Sequence, residues 1–239
     1  MQKKILIVLA TIILAVLAIT GLLFYYQKQG LVNIIPTAQE QTVSQLLKID
    51  KSKFKPAEGE SEADFQKEIE QLEVLRDQLK NDNENAALWF TYASSKHYLN
   101  DHEGAVAAWE YAFTLAPSDF RIPLNLGNTY QYFLKKTDLA EANYLKALEI
   151  RPDLTLAYQG LMDLYMFNWK EKSDKYEPLM LDAIQKDAPN KRVYIEGLID
   201  FFVRSDLKDL SKAKKYLADL KVIDSNKANE LIAAFPELN

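Results

Sequence analysis

The sequence predicts an all-α protein, a stack of helix-turn-helix units carried behind one apolar membrane helix. Three observations predict it. Leu126 to Pro152, LGNTYQYFLKKTDLAEANYLKALEIRP, reads as two short helices back to back. Small residues (Gly127, Ala140, Ala147) stand where helices must touch, Tyr130, Tyr144 and Leu148 fill the gaps, and a proline closes the unit. The pattern returns along the chain, with closing prolines at 117 and 152, a spacing of 152 − 117 = 35. Finally, Ile5 to Phe24 contains no charge and no proline.

The 239 residues give room for one or two domains. A net charge of −5 is mild and shows no basic face for a general nucleic-acid binder. With no cysteine, disulfides, thiolate catalysis and cysteine-ligated zinc are excluded.

The N-terminal run is long enough to span a bilayer core: twenty helical residues at ~1.5 Å each reach about 30 Å. Lys3 and Lys4 precede it and only Lys28 follows closely, which predicts a cytoplasmic N-terminus and an extracytoplasmic remainder. Phe24, Tyr25 and Tyr26 stand where interfacial aromatics belong. The run exceeds the apolar core of a cleaved signal peptide, so residues 1–26 read as a stub and a retained anchor. Residues 27–60, with Gly30, Pro36, Pro56 and Gly59, read as a flexible linker, and 61–239 as the repeat domain.

Within that domain Phe65, Ile69, Leu72, Leu75 and Leu79 recur at spacings of three and four, the stripe of an amphipathic helix over 62–80. Ser61 and Asp64 are placed to cap it. Paired helices follow in units at about 86–119, 120–153, 154–190 and 191–224, and a final short helix covers 226–235. Asp101 is an expected N-cap, and Asp138 with Glu141 reads as a capping box. In the third and fourth units the Leu-Gly order of 126–127 is inverted to Gly160-Leu161 and Gly197-Leu198.

Trp or an apolar residue, then Leu-Gly, then Tyr, then Ala-x3-Tyr-x2-Ala-x4-Pro resembles the tetratricopeptide repeat, whose period is about 34 residues. The match is specific over Leu126–Pro152 and good over Ala86–Pro117, departing at Lys96, where an aromatic is expected. The extra residue of the second unit falls most simply in the Lys135–Asp138 turn. The resemblance implies a right-handed superhelical solenoid whose first helices line a concave groove. By its register, groove positions fall on Phe90, Thr91, Ser94 and Tyr98 in the first unit, on Leu124, Asn125, Asn128, Gln131 and Tyr132 in the second, and on Tyr158, Gln159, Met162 and Tyr165 in the third. Amides and tyrosines in a nearly uncharged groove suit the backbone and side chains of a peptide or partner helix. Chaperone-binding members of the family hold a C-terminal carboxylate with lysines and asparagines. Here Phe90, Ser94, Thr155 and Gln159 occupy those places and only Asn125 agrees, so that mode is not expected.

His97 and His102, the only histidines, are five apart with a turn at Asn100 between them, so no metal site is expected, and no cofactor. There is no phosphate-binding glycine loop and no H-E-x-x-H or G-x-S-x-G. The expected function is therefore non-enzymatic: a membrane-anchored scaffold of a bacterial envelope, binding a protein or peptide in its groove and the bilayer through Ile5–Phe24. The alternatives are an organellar import or chaperone receptor with a cytosolic repeat domain, and a non-catalytic or regulatory subunit of an envelope enzyme. Neither the partner nor the oligomeric state is legible.

Overall fold

The structure, a computed structural model, describes residues 38–56, 58–59 and 61–239. The predicted anchor Ile5–Phe24 and the first part of the predicted linker lie outside the described residues. Among the described residues no helix is long and apolar enough to cross a membrane. The chain divides into two compact units, Met1–Ile49 and Asp50–Asn239. Of the first, the structure describes one helix, α1 (Ala38–Leu46).

The second unit is helical throughout its described length. A long helix, α2 (Glu62–Asn81), is followed by α3 (Ala86–Tyr98), α4 (His102–Leu115), α5 (Arg121–Tyr132), α6 (Thr137–Ile150), α7 (Thr155–Asp163), α8 (Tyr176–Lys186), α9 (Lys191–Arg204), α10 (Leu210–Ile223) and α11 (Ser225–Ala234). Successive helices pack as pairs, α3 with α4, α5 with α6 and α9 with α10, and each pair packs on the next. The architecture is an all-α solenoid of helix-turn-helix repeats. The third pair is irregular: a π-helical turn (Leu164–Asn168) and a 3-10 stretch (Lys170–Lys175) separate α7 from α8.

Local chemistry sets the boundaries. The Ser61 hydroxyl accepts the Asp64 N–H at 3.1 Å and starts α2, as the sequence predicts. The α2 stripe is buried at Phe65, Ile69, Leu72 and Leu79. Asp101 caps α4 by accepting from Gly104 N at 3.2 Å. Asn100 and Lys135 turn the chain in the left-handed region, with φ of 68° and 56°; the asparagine takes that conformation readily and the lysine does so with strain. The predicted capping box on α6 does not form. Lys136 occupies the cap position without a side-chain bond, because Glu141 is drawn away to Tyr165, Lys172 and Lys175.

Asp50 to Lys55, read from the sequence as part of the flexible linker, is held against the first repeat. Lys55 N donates to Leu99 O at 3.2 Å and Asn100 Nδ2 donates to Lys55 O at 2.9 Å. Phe54 is buried, and Lys51 pairs with Glu73 on α2 at 2.8 Å.

Lys96, standing where the repeat pattern calls for an aromatic, is buried and pairs with buried Asp101 at 2.8 Å, with its ammonium 5.5 Å from the Tyr92 ring centre. The lysine thus joins the end of α3 to the cap of α4. Removing either partner leaves a buried charge uncompensated, which is the costly way to break such a pair.

The joint between the second and third repeats rests on Tyr144. Its ring lies against both Gly127 of α5 and Gly160 of α7. A Cβ on Gly127 would stand 2.7 Å from the ring, and one on Gly160 would press still closer, onto Cζ. Alanine favours a helix over glycine by about 1 kcal/mol, yet here it forces overpacking worth about 1–3 kcal/mol. Gly160→Ala is accordingly expected to lower the unfolding midpoint in chemical denaturation of the full chain. An equal or raised midpoint would mean that Tyr144 does not seat on that backbone.

Candidate functional site

The face that could receive a partner is set by which side of α3, α5 and α7 is spent on packing. On α3 the buried residues are Trp89, Tyr92, Ala93 and Lys96. On α5, Pro123, Leu126, Gly127 and Tyr130 occupy the same relative places and are buried. Trp89 Nε1 donates to Asn83 O, six residues back, at 2.8 Å. Tyr158 OH donates to Pro152 O, also six residues back, at 3.1 Å. Tyr158 is therefore the counterpart of Trp89, followed by buried Leu161 and Tyr165 in the places of Tyr92 and Lys96.

This corrects the third unit by one residue. The sequence register aligns Gly160 with Leu126, one position short, because the order Gly-Leu was read as an inverted Leu-Gly. Leu161 is the true counterpart of Leu126, and Gly160 is a glycine for Tyr144 instead. Tyr158 and Tyr165, predicted to line the groove, are core residues. Tyr165 OH donates to Glu141 at 2.5 Å. Met162 is half-buried, and its methyl group lies against Gly197 of α9, so it packs between repeats. In the shifted register Asp163 corresponds to Asn128, Met166 to Gln131 and Phe167 to Tyr132.

Two further predicted groove residues are buried. Leu124 belongs to the core. Gln131 is a buried connector. With its amide oriented to satisfy its neighbours, Nε2 donates to Tyr144 Oη at 2.7 Å and to Gly160 O at 3.2 Å, and Oε1 accepts Leu164 N–H at 3.3 Å. It thereby bonds the backbone at the start of the π-turn. Asn128 is half-buried and accepts from Tyr144 OH at 2.8 Å. Phe90 is half-covered by the Arg121 guanidinium, 4.8 Å from its ring centre. Ser94 is half-buried and donates to Phe90 O within its own helix at 2.8 Å. Asn125 is half-buried, and Thr91 and Gln159 are exposed.

What the three first helices share at the surface is an aromatic side chain. Tyr98, Tyr132 and Phe167 stand at equivalent places in successive units and are 47%, 42% and 64% exposed. Tyr132 OH donates to Asp163 Oδ2 at 2.8 Å across to the next unit. Phe167 was missed by the sequence reading; the signal that could have found it is the Tyr158–Pro152 spacing, which repeats Trp89–Asn83. Beside Phe167 a hollow is lined by Met166, Lys170, Ser173, Asp200 and Arg204. Its charges are matched in pairs, Arg204 with Asp200 at 2.7 Å and Lys170 with Asp206 at 3.3 Å. A second hollow, between α2 and α3, is lined by Gln71, Val74, Leu75, Gln78, Thr91 and Ser95 among others. Among the described residues no group of three or more His, Asp or Glu is placed to hold a metal.

These features define a helical-repeat protein with an aromatic and amide surface on its first helices. Residues 122–154 match the sequence model of the tetratricopeptide repeat. No curated protein matches the chain. Among solved structures, it is similar to the C-terminal part of a TPR repeat-containing protein from Cytophaga hutchinsonii, at 18% identity, with a TM-score of 0.52, over 86% of this chain and 83% of that one. Residues 122–154 are thus similar to a tetratricopeptide repeat, and the helical array as a whole is similar in fold to a structure built of such repeats.

Buried carboxylates brace the third and fourth units. Asp187 accepts from Thr155 Oγ1 at 2.6 Å, Asn190 Nδ2 at 3.0 Å and Tyr194 OH at 2.5 Å. Burial pushes its pKa up, but these donors more than offset that and hold it below its ordinary 3.8. A carboxylate depressed in the folded state contributes stability above its unfolded pKa and loses it as pH falls through the folded one. The melting temperature is therefore expected to fall as pH drops below about 4, and Asp187→Asn to flatten that slope. An unchanged acid slope in the variant would remove Asp187 from the account.

Proposed function

We propose that the protein is a membrane-anchored interaction scaffold that binds an extended peptide or partner helix along the first helices of its repeats. The observation that carries this reading is the recurrence of an exposed aromatic at Tyr98, Tyr132 and Phe167. Burying a large apolar side chain is worth about 1.5–3 kcal/mol. The exposed parts of these side chains in three successive units, flanked by half-buried Asn125 and Asn128, offer apolar area that a ligand can bury. Tyrosine and phenylalanine supply rigid contact area at small entropic cost, and they dominate interfaces for that reason. The charged groups nearest Phe167 neutralise one another, which suits an uncharged segment.

The anchor rests on the uncharged run Ile5–Phe24, and the orientation on Lys3 and Lys4 before it. Both favour a repeat domain on the extracytoplasmic face of a bacterial membrane, within an envelope assembly.

Crosslinking and pull-down of the full chain from its own membrane tests the binding surface. The double substitution Tyr132→Ala with Phe167→Ala is expected to lower recovered partner at least about tenfold, since loss of two such contacts exceeds 1.4 kcal/mol. Val222→Ala, at an exposed position on α10, is the control and leaves recovery unchanged. Full recovery with the double variant moves the binding surface elsewhere. Topology has its own test. Protease added to spheroplasts is expected to degrade the repeat domain, and complete protection would reverse the orientation.

A further inference from the structure

The sequence spacing of His97 and His102 argues that they do not share a face, and on one continuous helix they would not. The fold brings them together by another route. Asn100, in the left-handed region, folds the chain back between α3 and α4, and the two Nδ1 atoms end 3.2 Å apart. Thr129 Oγ1 of α5 lies 3.4 Å from His97 Nδ1. Phe133, at the end of α5, covers both rings, with centroids 4.7 Å from His97 and 4.2 Å from His102. The Trp109 ring lies 5.5 Å from His97, and its buried indole N–H has no acceptor among the described residues. Two imidazoles and a hydroxyl from three helices thus converge against the Trp109 ring, at the joint between the first and second repeats.

We propose that His97 and His102 chelate a divalent late transition-metal ion through their Nδ1 atoms, with Cu2+ the tightest fit. At metal–nitrogen distances of about 2.0–2.1 Å, nitrogens 3.2 Å apart subtend an angle of about 100° at the ion. That lies between the square-planar and tetrahedral values. Imidazole suits copper, nickel and zinc, and the affinity order of divalent ions peaks at copper. In the free protein one Nδ1–H donates to the other Nδ1 across this contact; on binding, that proton moves to Nε2 of its own ring, and a modest turn of each ring aims both Nδ1 lone pairs at the ion. Ligands must be neutral to bind. With two protein nitrogens, the other coordination positions go to water.

The test is a titration of the full chain, free of any histidine tag, with CuCl2 and separately NiCl2 at pH 7, read by tryptophan fluorescence. Trp109 stands close enough to His97 for a paramagnetic ion to quench it. Saturable quenching at one equivalent is expected, with a higher melting temperature in the presence of the ion. His97→Ala and His102→Ala are each expected to raise the quenching midpoint well beyond tenfold, since loss of even an outer-shell partner costs about 10–100-fold. His102→Gln keeps a hydrogen-bonding side chain for His97 and removes the ligand, so it reports on binding if the alanine variants fail to fold. Titration curves unchanged by these substitutions, or quenching that never saturates, would overturn the site.

Discussion

One tyrosine between two glycines governs the middle of this molecule. Tyr144 projects from α6 into the space that Gly127 and Gly160 leave open, and its ring fills that space because neither neighbour carries a Cβ. The hydroxyl bonds Asn128, and Gln131 bonds the hydroxyl in return. Gln131 then reaches the backbone at Gly160 and Leu164, where the helix loosens into a π-turn. A chain of contacts therefore runs from α6 through α5 to α7, and it sets how the third repeat sits on the second. Every side chain that α7 shows to the outside follows from that seating.

The same joint explains where sequence reasoning held and where it slipped. In α3 and α5 the buried places are marked by residues that can do nothing else well: Trp89 and Tyr92 in one, Leu126 and Gly127 in the other. In α7 the glycine belongs to Tyr144 of the preceding unit rather than to its own helix pair. Read as an inverted Leu-Gly, it moved the frame by one residue, and on a helix one residue is a turn of about 100°. That is enough to exchange Tyr158, Met162 and Tyr165, which are buried or half-buried, for exposed Gln159 and Asp163 and half-buried Met166.

Polar groups in the core were the least legible. Lys96 looked like a departure from the repeat and is a buried partner of Asp101. Glu141 looked like half of a capping box and is the acceptor for Tyr165, Lys172 and Lys175, residues 24 to 34 positions away. Partners so distant leave no local pattern. The two histidines show the same limit at short range. Five positions apart argues against contact on a helix, but a single left-handed residue between them reverses the conclusion.

By itself the sequence determined the helix content, the pairing of helices, the caps at Ser61 and Asp101, and the apolar run ahead of them, because periodicity, capping chemistry and hydropathy act within a few residues. It also determined that the repeats stack, since small residues recur at the places where helices must touch. The tertiary structure alone decided which of the tyrosines and amides face solvent, that Asp50–Lys55 packs on the first repeat, and that His97 meets His102. Those outcomes depend on how one unit is rotated on the next. That rotation is set by the fit of side chains such as Tyr144 into a neighbour's backbone, and no local spacing encodes it.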